Sequence, residues 1–168
     1  MSKFHLWLVP TGAVYDRLAG VIADLSARYH GPAFDPHLTL LGRLEGREGE
    51  MVDRAHRLAH ALHPFEVRLK EADYEAQYFR CLFLRAEPSP AILDVHQQAT
   101  QIFNAQPASA FDPHVSLLYG LFPESVKQAI IMALPPDLPS AFPVSRLQLI
   151  RAASANPQDW QVVETLDV

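Results

Sequence analysis

Hydrophobic positions along the chain switch repeatedly between strand-like runs and helical spacing. An apolar run over residues 4–9, ended by Pro10-Thr11-Gly12, predicts a first strand. Val14, Leu18, Val21, Ile22 and Leu25 predict a helix over 14–29, stopped by Gly31-Pro32. A short strand over 37–41 follows Pro36, and the glycine-bearing stretch 42–49 reads as a loop. An amphipathic helix over 50–62 comes next, then strands over 65–69 and 78–85 and a helix over 90–103 with Pro90 in its first turn. The second half continues with a strand over 114–119, a helix over 125–134 and a proline-rich loop over 135–143. Strands over 144–150 and 161–166 close the chain. Strands mixed with helices in this order predict an α+β fold.

One pattern occurs twice. Phe34-Asp35-Pro36-His37-Leu38-Thr39-Leu40-Leu41 returns as Phe111-Asp112-Pro113-His114-Val115-Ser116-Leu117-Leu118, with six of eight positions identical and an offset of 77 residues. The economical reading is one bilobal domain over 1–168 built by internal duplication, each lobe contributing one such strand. In a strand, residues i and i+2 share a face. His37 then stands beside Thr39, and His114 beside Ser116, with the intervening leucines and Val115 turned to the core. A pseudo-two-fold would bring the two pairs together across a cleft.

Two imidazoles and two hydroxyls suit phosphoester hydrolysis. One histidine can take a proton from water while the other gives one to the leaving oxygen, since both protonation states are within reach near neutral pH. The hydroxyls can bind the phosphate oxygens as charge builds on them. A single His-x-Thr/Ser tripeptide is commonplace and would read as an ordinary strand histidine. Two copies in matching frames point to chemistry. The assignment taken from the sequence has His114 activating water and His37 protonating the leaving ribose oxygen.

These stretches resemble the 2H phosphoesterase superfamily, which is defined by two His-hydrophobic-Thr/Ser-hydrophobic motifs. His37-Leu38-Thr39-Leu40 and His114-Val115-Ser116-Leu117 match both. More narrowly, the chain is similar to the plant and yeast cyclic phosphodiesterase branch. Leu6-Trp7-Leu8-Val9-Pro10, Gly31-Pro32-Ala33-Phe34 and Phe79-Arg80-Cys81-Leu82-Phe83-Leu84 add support. The resemblance implies two antiparallel sheets around a central cleft, with helices outside. It implies hydrolysis of ADP-ribose 1″,2″-cyclic phosphate, a tRNA-splicing by-product, and of nucleoside 2′,3′-cyclic phosphates. It also implies that Trp7, Phe79 and Tyr119 line the cleft. Tyr119 faces away from His114 in a regular strand, so a twist or bulge must turn it inward. Arg80 stands where plant members tend to carry an uncharged polar residue, and surface solvation is the expected role.

Composition narrows the partners. With 14 Lys and Arg against 19 Asp and Glu, the formal charge is −5, which supplies no global field for a long nucleic acid. A small anionic substrate fits better. The single Cys81 agrees with a reducing compartment, and the default location is the cytoplasm. No apolar stretch approaches the ~20 residues needed to span a bilayer. His56 and His60 have the spacing of a metal pair but lack a third ligand in any known pattern, so no metal and no cofactor are expected. His5, His30 and His96 have no recognisable partner in the sequence. A monomer is expected. Two alternatives remain: an RNA 2′,3′-cyclic phosphodiesterase of the bacterial 2′-5′ RNA ligase type, and a non-catalytic nucleotide-binding module. The first usually carries an Arg soon after the second motif, where this chain has Leu118-Tyr119-Gly120-Leu121.

Overall fold

The computed structural model describes residues 2–168. Eight strands and four α-helices make up the described residues. They run β1 (Ser2–Leu8), α1 (Gly12–Tyr29), β2 (Leu38–Gly46), α2 (Glu48–Ala61), β3 (Phe65–Tyr74), β4 (Leu82–Ala86) and α3 (Pro90–Phe103). β5 (His114–Leu118), α4 (Glu124–Met132), β6 (Ala141–Val144), β7 (Arg146–Ala152) and β8 (Trp160–Asp167) complete the chain. The strands form one curled antiparallel sheet in the order β6-β3-β4-β5-β2-β1-β7-β8. The two sheets expected from the sequence are therefore the two halves of this order, joined where β5 meets β2 through the single pair Leu38–Val115.

Alternation decides which face meets the helices. Leu38, Leu40, Val115 and Leu117 are all buried and belong to the main core, which continues through Leu6, Leu8, Leu82 and Leu84. Two helices cross over between halves: α1 packs on β5, and α3 packs on β2. Burying each motif strand against the other half's helix makes the central strands hard to separate. Helix α3 starts on Ser89, whose hydroxyl accepts from the Ile92 N–H, with Pro90 in the first turn. Among the described residues, no helix is long and apolar enough to cross a membrane.

Three segments depart from the sequence reading. The stretch 42–49 is not a loop, because β2 continues to Gly46 and α2 starts at Glu48. Its register against β1 slips between the pairs Phe4–Leu44 and Leu6–Leu41, with Arg43 at φ 58°. Gly42-Arg43 is thus a bulge inside a strand rather than a break. Pro143 lies within β6, which is possible because β6 is an edge strand that need not donate on both sides. Finally, Tyr78–Arg80 is a turn of 3-10 helix and only Leu82–Ala86 is strand. The aromatic residues there leave the ladder and stand over the opposite face of the sheet.

Candidate active site

The pairing of Leu38 with Val115 organises the concave face. Carried one residue each way, that register sets His37 opposite Ser116 and Thr39 opposite His114. Residues directly opposite share a face, so all four side chains form a square with the two histidines on a diagonal. Diagonal neighbours in such a pair lie about 7–8 Å apart, leaving room for a phosphate between the ring edges.

Both rings are held in the same way. His37 Nδ1 is 2.7 Å from the Asp35 carbonyl, and His114 Nδ1 is 2.9 Å from the Asp112 carbonyl. A carbonyl can only accept, so these contacts place the hydrogen on Nδ1 and leave the Nε2 lone pair for the cleft. The Asp-Pro-His frame is what the repeat preserves: the residue two before each histidine supplies the tether.

Beneath the rings the halves are again matched in position. Trp7 lies opposite Thr39, and Phe83 lies opposite Ser116. Trp7 stacks on His37 at 3.5 Å with 9° between planes, while Phe83 meets His114 edge-on at 5.1 Å. His37 is 6% exposed. Burial is the main cause that pushes its pKa down to about 3; the Asp35 hydrogen bond opposes this, and nearby His5 and His114 add to the lowering. His114 is also lowered, chiefly by burial and further by Arg80, against the opposing pull of the Asp112 tether and of the Asp112 and Glu75 carboxylates.

The surroundings of the two histidines differ sharply. An aromatic wall encloses His37. Tyr119 stacks on Phe34 at 3.9 Å, meets Phe79 edge-on at 5.1 Å and stands 6.2 Å from Trp160. Tyr119 reaches this wall because β5 carries an extra residue where the pairs Phe83–Ser116 and Leu82–Leu118 succeed each other. That bulge supplies the inward turn a regular strand could not. Gly120, at φ 154°, follows at once, and a Cβ there would collide with the Phe122 ring.

An ionic network surrounds His114 instead. Arg80 is far from solvated: its side chain is 21% exposed, and it bonds both carboxylate oxygens of Glu75 at 2.9 and 3.0 Å, and Asp112 at 2.6 Å. Its Nη1 lies 3.2 Å from His114 Nδ1. Arg85 binds Asp73 at 2.7 Å, and both guanidinium groups sit over the Phe83 ring, at 4.9 and 5.5 Å. The expectation of a solvated Arg80 is therefore corrected. Its partner Asp112 lies 32 residues along the chain, out of reach of local pattern reading.

The hydroxyls are not equivalent. Ser116 Oγ donates to the Phe79 carbonyl at a long 3.4 Å, whereas Thr39 has no side-chain hydrogen bond among the described residues. Two residues were missed by sequence reasoning. Trp160 stands near Trp7, His37, Phe79 and Tyr119, with ring centroids at 5.8–6.5 Å. His5 shares the face of Trp7 and stacks toward Trp160 at 6.2 Å. No spacing in the sequence ties position 160 to the motifs; its one signal is being one of only two tryptophans. His56 turns to Glu164 at 3.6 Å, and among the described residues no three His, Cys, Asp or Glu side chains converge as a metal ion requires.

Residues 1–168 match the family model described as cyclic phosphodiesterase-like protein. The chain belongs to that family. This bears out the resemblance carried by the two histidine motifs. Among relatives of this cyclic phosphodiesterase-like chain, the cyclic phosphodiesterase of Arabidopsis thaliana is 22% identical over 125 residues, covering 74% of this chain and 69% of that protein. The 2′,3′-cyclic-nucleotide 3′-phosphodiesterase of Yarrowia lipolytica is 26% identical over 159 residues, covering 70% of this chain and 74% of its own. Apo LigT of E. coli has the same fold, with a TM-score of 0.66 at 14% identity, covering 99% of this chain and 96% of that one. Its complex with 3′-AMP gives a TM-score of 0.65 at 15% identity, with 99% and 98% covered.

Proposed function

We propose that this protein opens cyclic phosphate diesters by general acid–base catalysis from His37 and His114, without a cofactor. The observation that carries the reading is the diagonal placement of two tethered histidines with free Nε2 atoms, set by the Leu38–Val115 register. Family membership and the activities named for both relatives support it. The substrates are nucleoside 2′,3′-cyclic phosphates, with ADP-ribose 1″,2″-cyclic phosphate as the other candidate carried by the family resemblance.

In the step, one histidine takes a proton from water as the water oxygen bonds to phosphorus. The ring P–O bond breaks, and the other histidine protonates the leaving ribose oxygen, giving a phosphomonoester. Burial supports a split opposite to the one read from sequence. His37, held down to about 3, carries no proton to give near neutral pH, which leaves it the base role, although the same burial weakens it as a base. His114 is also lowered, chiefly by burial, but the Asp112 tether and the Asp112 and Glu75 carboxylates pull it toward its charged form, so of the two it is the one assigned the acid role. Thr39, whose hydroxyl is uncommitted, and Ser116, whose bond is long, take the non-bridging oxygens. We also read the two halves as copies of one unit; the matched positions of Trp7 and Phe83 support this.

A panel of cyclic phosphates assayed with EDTA present tests the proposal. Turnover of 2′,3′-cyclic AMP to a monophosphate, undiminished by chelation, is the expected result. Binding of 2′-AMP with no hydrolysis of any cyclic phosphate would leave only a nucleotide-binding module. Greater activity on an oligoribonucleotide ending in a cyclic phosphate would favour the RNA-processing alternative.

A further inference from the structure

The bulge in β2 sets two residues against one. Between the pairs Phe4–Leu44 and Leu6–Leu41, Gly42 and Arg43 of β2 both stand opposite His5 of β1. Phe4, Leu6 and Leu8 fill the core, so His5 shares the concave face with Trp7. Trp7 in turn lies opposite Thr39. His5 therefore stands one two-residue strand step, about 7 Å, beyond the square of His37, Thr39, His114 and Ser116.

Gly42 keeps the space between His5 and Thr39 open. A Cβ there would stand 3.3 Å from His5 Nδ1, tight against the ring, and 3.8 Å from Thr39 Cγ2. His5 makes no side-chain hydrogen bond among the described residues, and burial, then the Arg43 charge, lower its pKa. The ring is neutral near pH 7 and has an N–H to give. Arg43 holds φ 58°, left-handed backbone that an arginine rarely adopts. It too makes no ion pair or side-chain hydrogen bond among the described residues. Glu45, the next acidic residue of β2, stands opposite Lys3, and β7 presents only Ile150 to His5. In a chain of formal charge −5, an unpaired arginine on strained backbone beside a free imidazole points to an anion.

We propose that His5 and Arg43 form a second anion site, which takes a phosphate on the 5-carbon of the ribose whose cyclic phosphate lies between His37 and His114. The inference rests on the hydrolase reading above and narrows its substrate class to ribose phosphorylated at both places. The atoms linking a cyclic phosphate through the ribose to a 5-phosphate span a distance close to that strand step. The guanidinium fork meets two phosphate oxygens, and the imidazole N–H gives a further bond. Gly42 supplies the room. A nucleoside 2′,3′-cyclic phosphate with a 5′-phosphate carries this group as a monoester. ADP-ribose 1″,2″-cyclic phosphate carries it as a pyrophosphate. Nucleoside cyclic phosphates without a 5′-phosphate do not engage the site.

The test compares 2′,3′-cyclic AMP with the same compound bearing a 5′-phosphate, using wild type, Arg43→Asn, Arg43→Lys and His5→Phe at neutral pH. Asn accepts left-handed backbone, so Arg43→Asn removes the cation and keeps the bulge. Phe keeps the shape of the His5 ring and removes its nitrogens. Wild type should show kcat/KM about 10- to 100-fold higher for the 5′-phosphorylated ester. Arg43→Asn should bring the two esters within about threefold, leaving 2′,3′-cyclic AMP within about twofold of wild type, and Arg43→Lys should recover part of the preference. His5→Phe should lower the preference about fivefold while removing no charge, which separates a bonding contact from a diffuse field. Equal wild-type rates on the two esters, or a preference that survives in full in Arg43→Asn or in His5→Phe, would overturn the site. With ADP-ribose 1″,2″-cyclic phosphate as third substrate, a matching loss in Arg43→Asn extends the site to a pyrophosphate, and no loss restricts it to a monoester. If wild type opens no ester, the hydrolase reading fails separately, and calorimetry with adenosine 2′,5′-bisphosphate and 2′-AMP decides the site. Tighter binding of the bisphosphate that Arg43→Asn abolishes upholds it; equal binding overturns it.

Discussion

Arg80 Nη1 stands 3.2 Å from His114 Nδ1, and among the described residues no cation takes the matching place beside His37. A guanidinium opposes a positive charge on the ring it faces, while the nearer Asp112 carbonyl keeps the hydrogen on Nδ1. The same Arg80 grips the Asp112 carboxylate, and the Asp112 carbonyl tethers His114. One side chain thus both positions the imidazole and makes it harder to protonate. This breaks the likeness between two histidines that their sequence frames present as equals.

Replacing Arg80 by Gln is expected to raise the His114 pKa, because a positive neighbour is lost and the Glu75 and Asp112 carboxylates are released. If His114 is the acid, kcat/KM for 2′,3′-cyclic AMP falls as pH rises through its pKa, which lies below the ordinary 6.5 in the wild type. The alkaline limb of the profile should then move to higher pH in Arg80→Gln. A limb that stays put, or shifts down, would contradict this role.

Thr39 and Ser116 should respond unequally. Thr39→Val keeps the shape and removes a hydroxyl with no other side-chain bond, so kcat should drop about 100-fold with the melting temperature nearly unchanged. Ser116→Ala removes the bond to the Phe79 carbonyl as well, and should also loosen the turn that carries Phe79. Limited proteolysis near residue 78 reports that second effect.

Burial of His37 links stability to pH. Unfolded, its pKa is near the ordinary 6.5, whereas folded it lies at about 3. Between those values the unfolded chain binds the extra proton, so stability is fully present above about 6.5 and falls as pH drops toward 3. His37→Asn keeps a donor for the Asp35 carbonyl and removes the titration. Urea unfolding at pH 7 and pH 4.5 should show a smaller acid loss in the variant than in the wild type.

The motif strands are legible in the sequence because their information is local. Alternation alone puts His37 with Thr39 and His114 with Ser116, and the repeated Asp-Pro-His frame coincides with the backbone tether of each ring. The helices and most strands follow from periodicity for the same reason. What escapes such reading depends on long-range register. The inward turn of Tyr119 needs a bulge whose position is visible only against β4. The run Tyr78-Phe79-Arg80 reads as strand because cleft-facing aromatics and core aromatics look alike in sequence. Arg80 and Trp160 find their partners across 32 and more than 150 residues. Gly42 marks a bulge that composition cannot tell from a break.

The most direct measurement is the single-turnover rate of 2′,3′-cyclic AMP hydrolysis by His37→Asn, His114→Asn and the double variant, each verified as folded by its unfolding transition. Paired acid–base catalysis predicts a loss of about 10²–10⁴-fold in each single variant, with the double variant far short of the product of the two, as befits groups acting in one step. A rate within about tenfold of wild type for either histidine variant would contradict it.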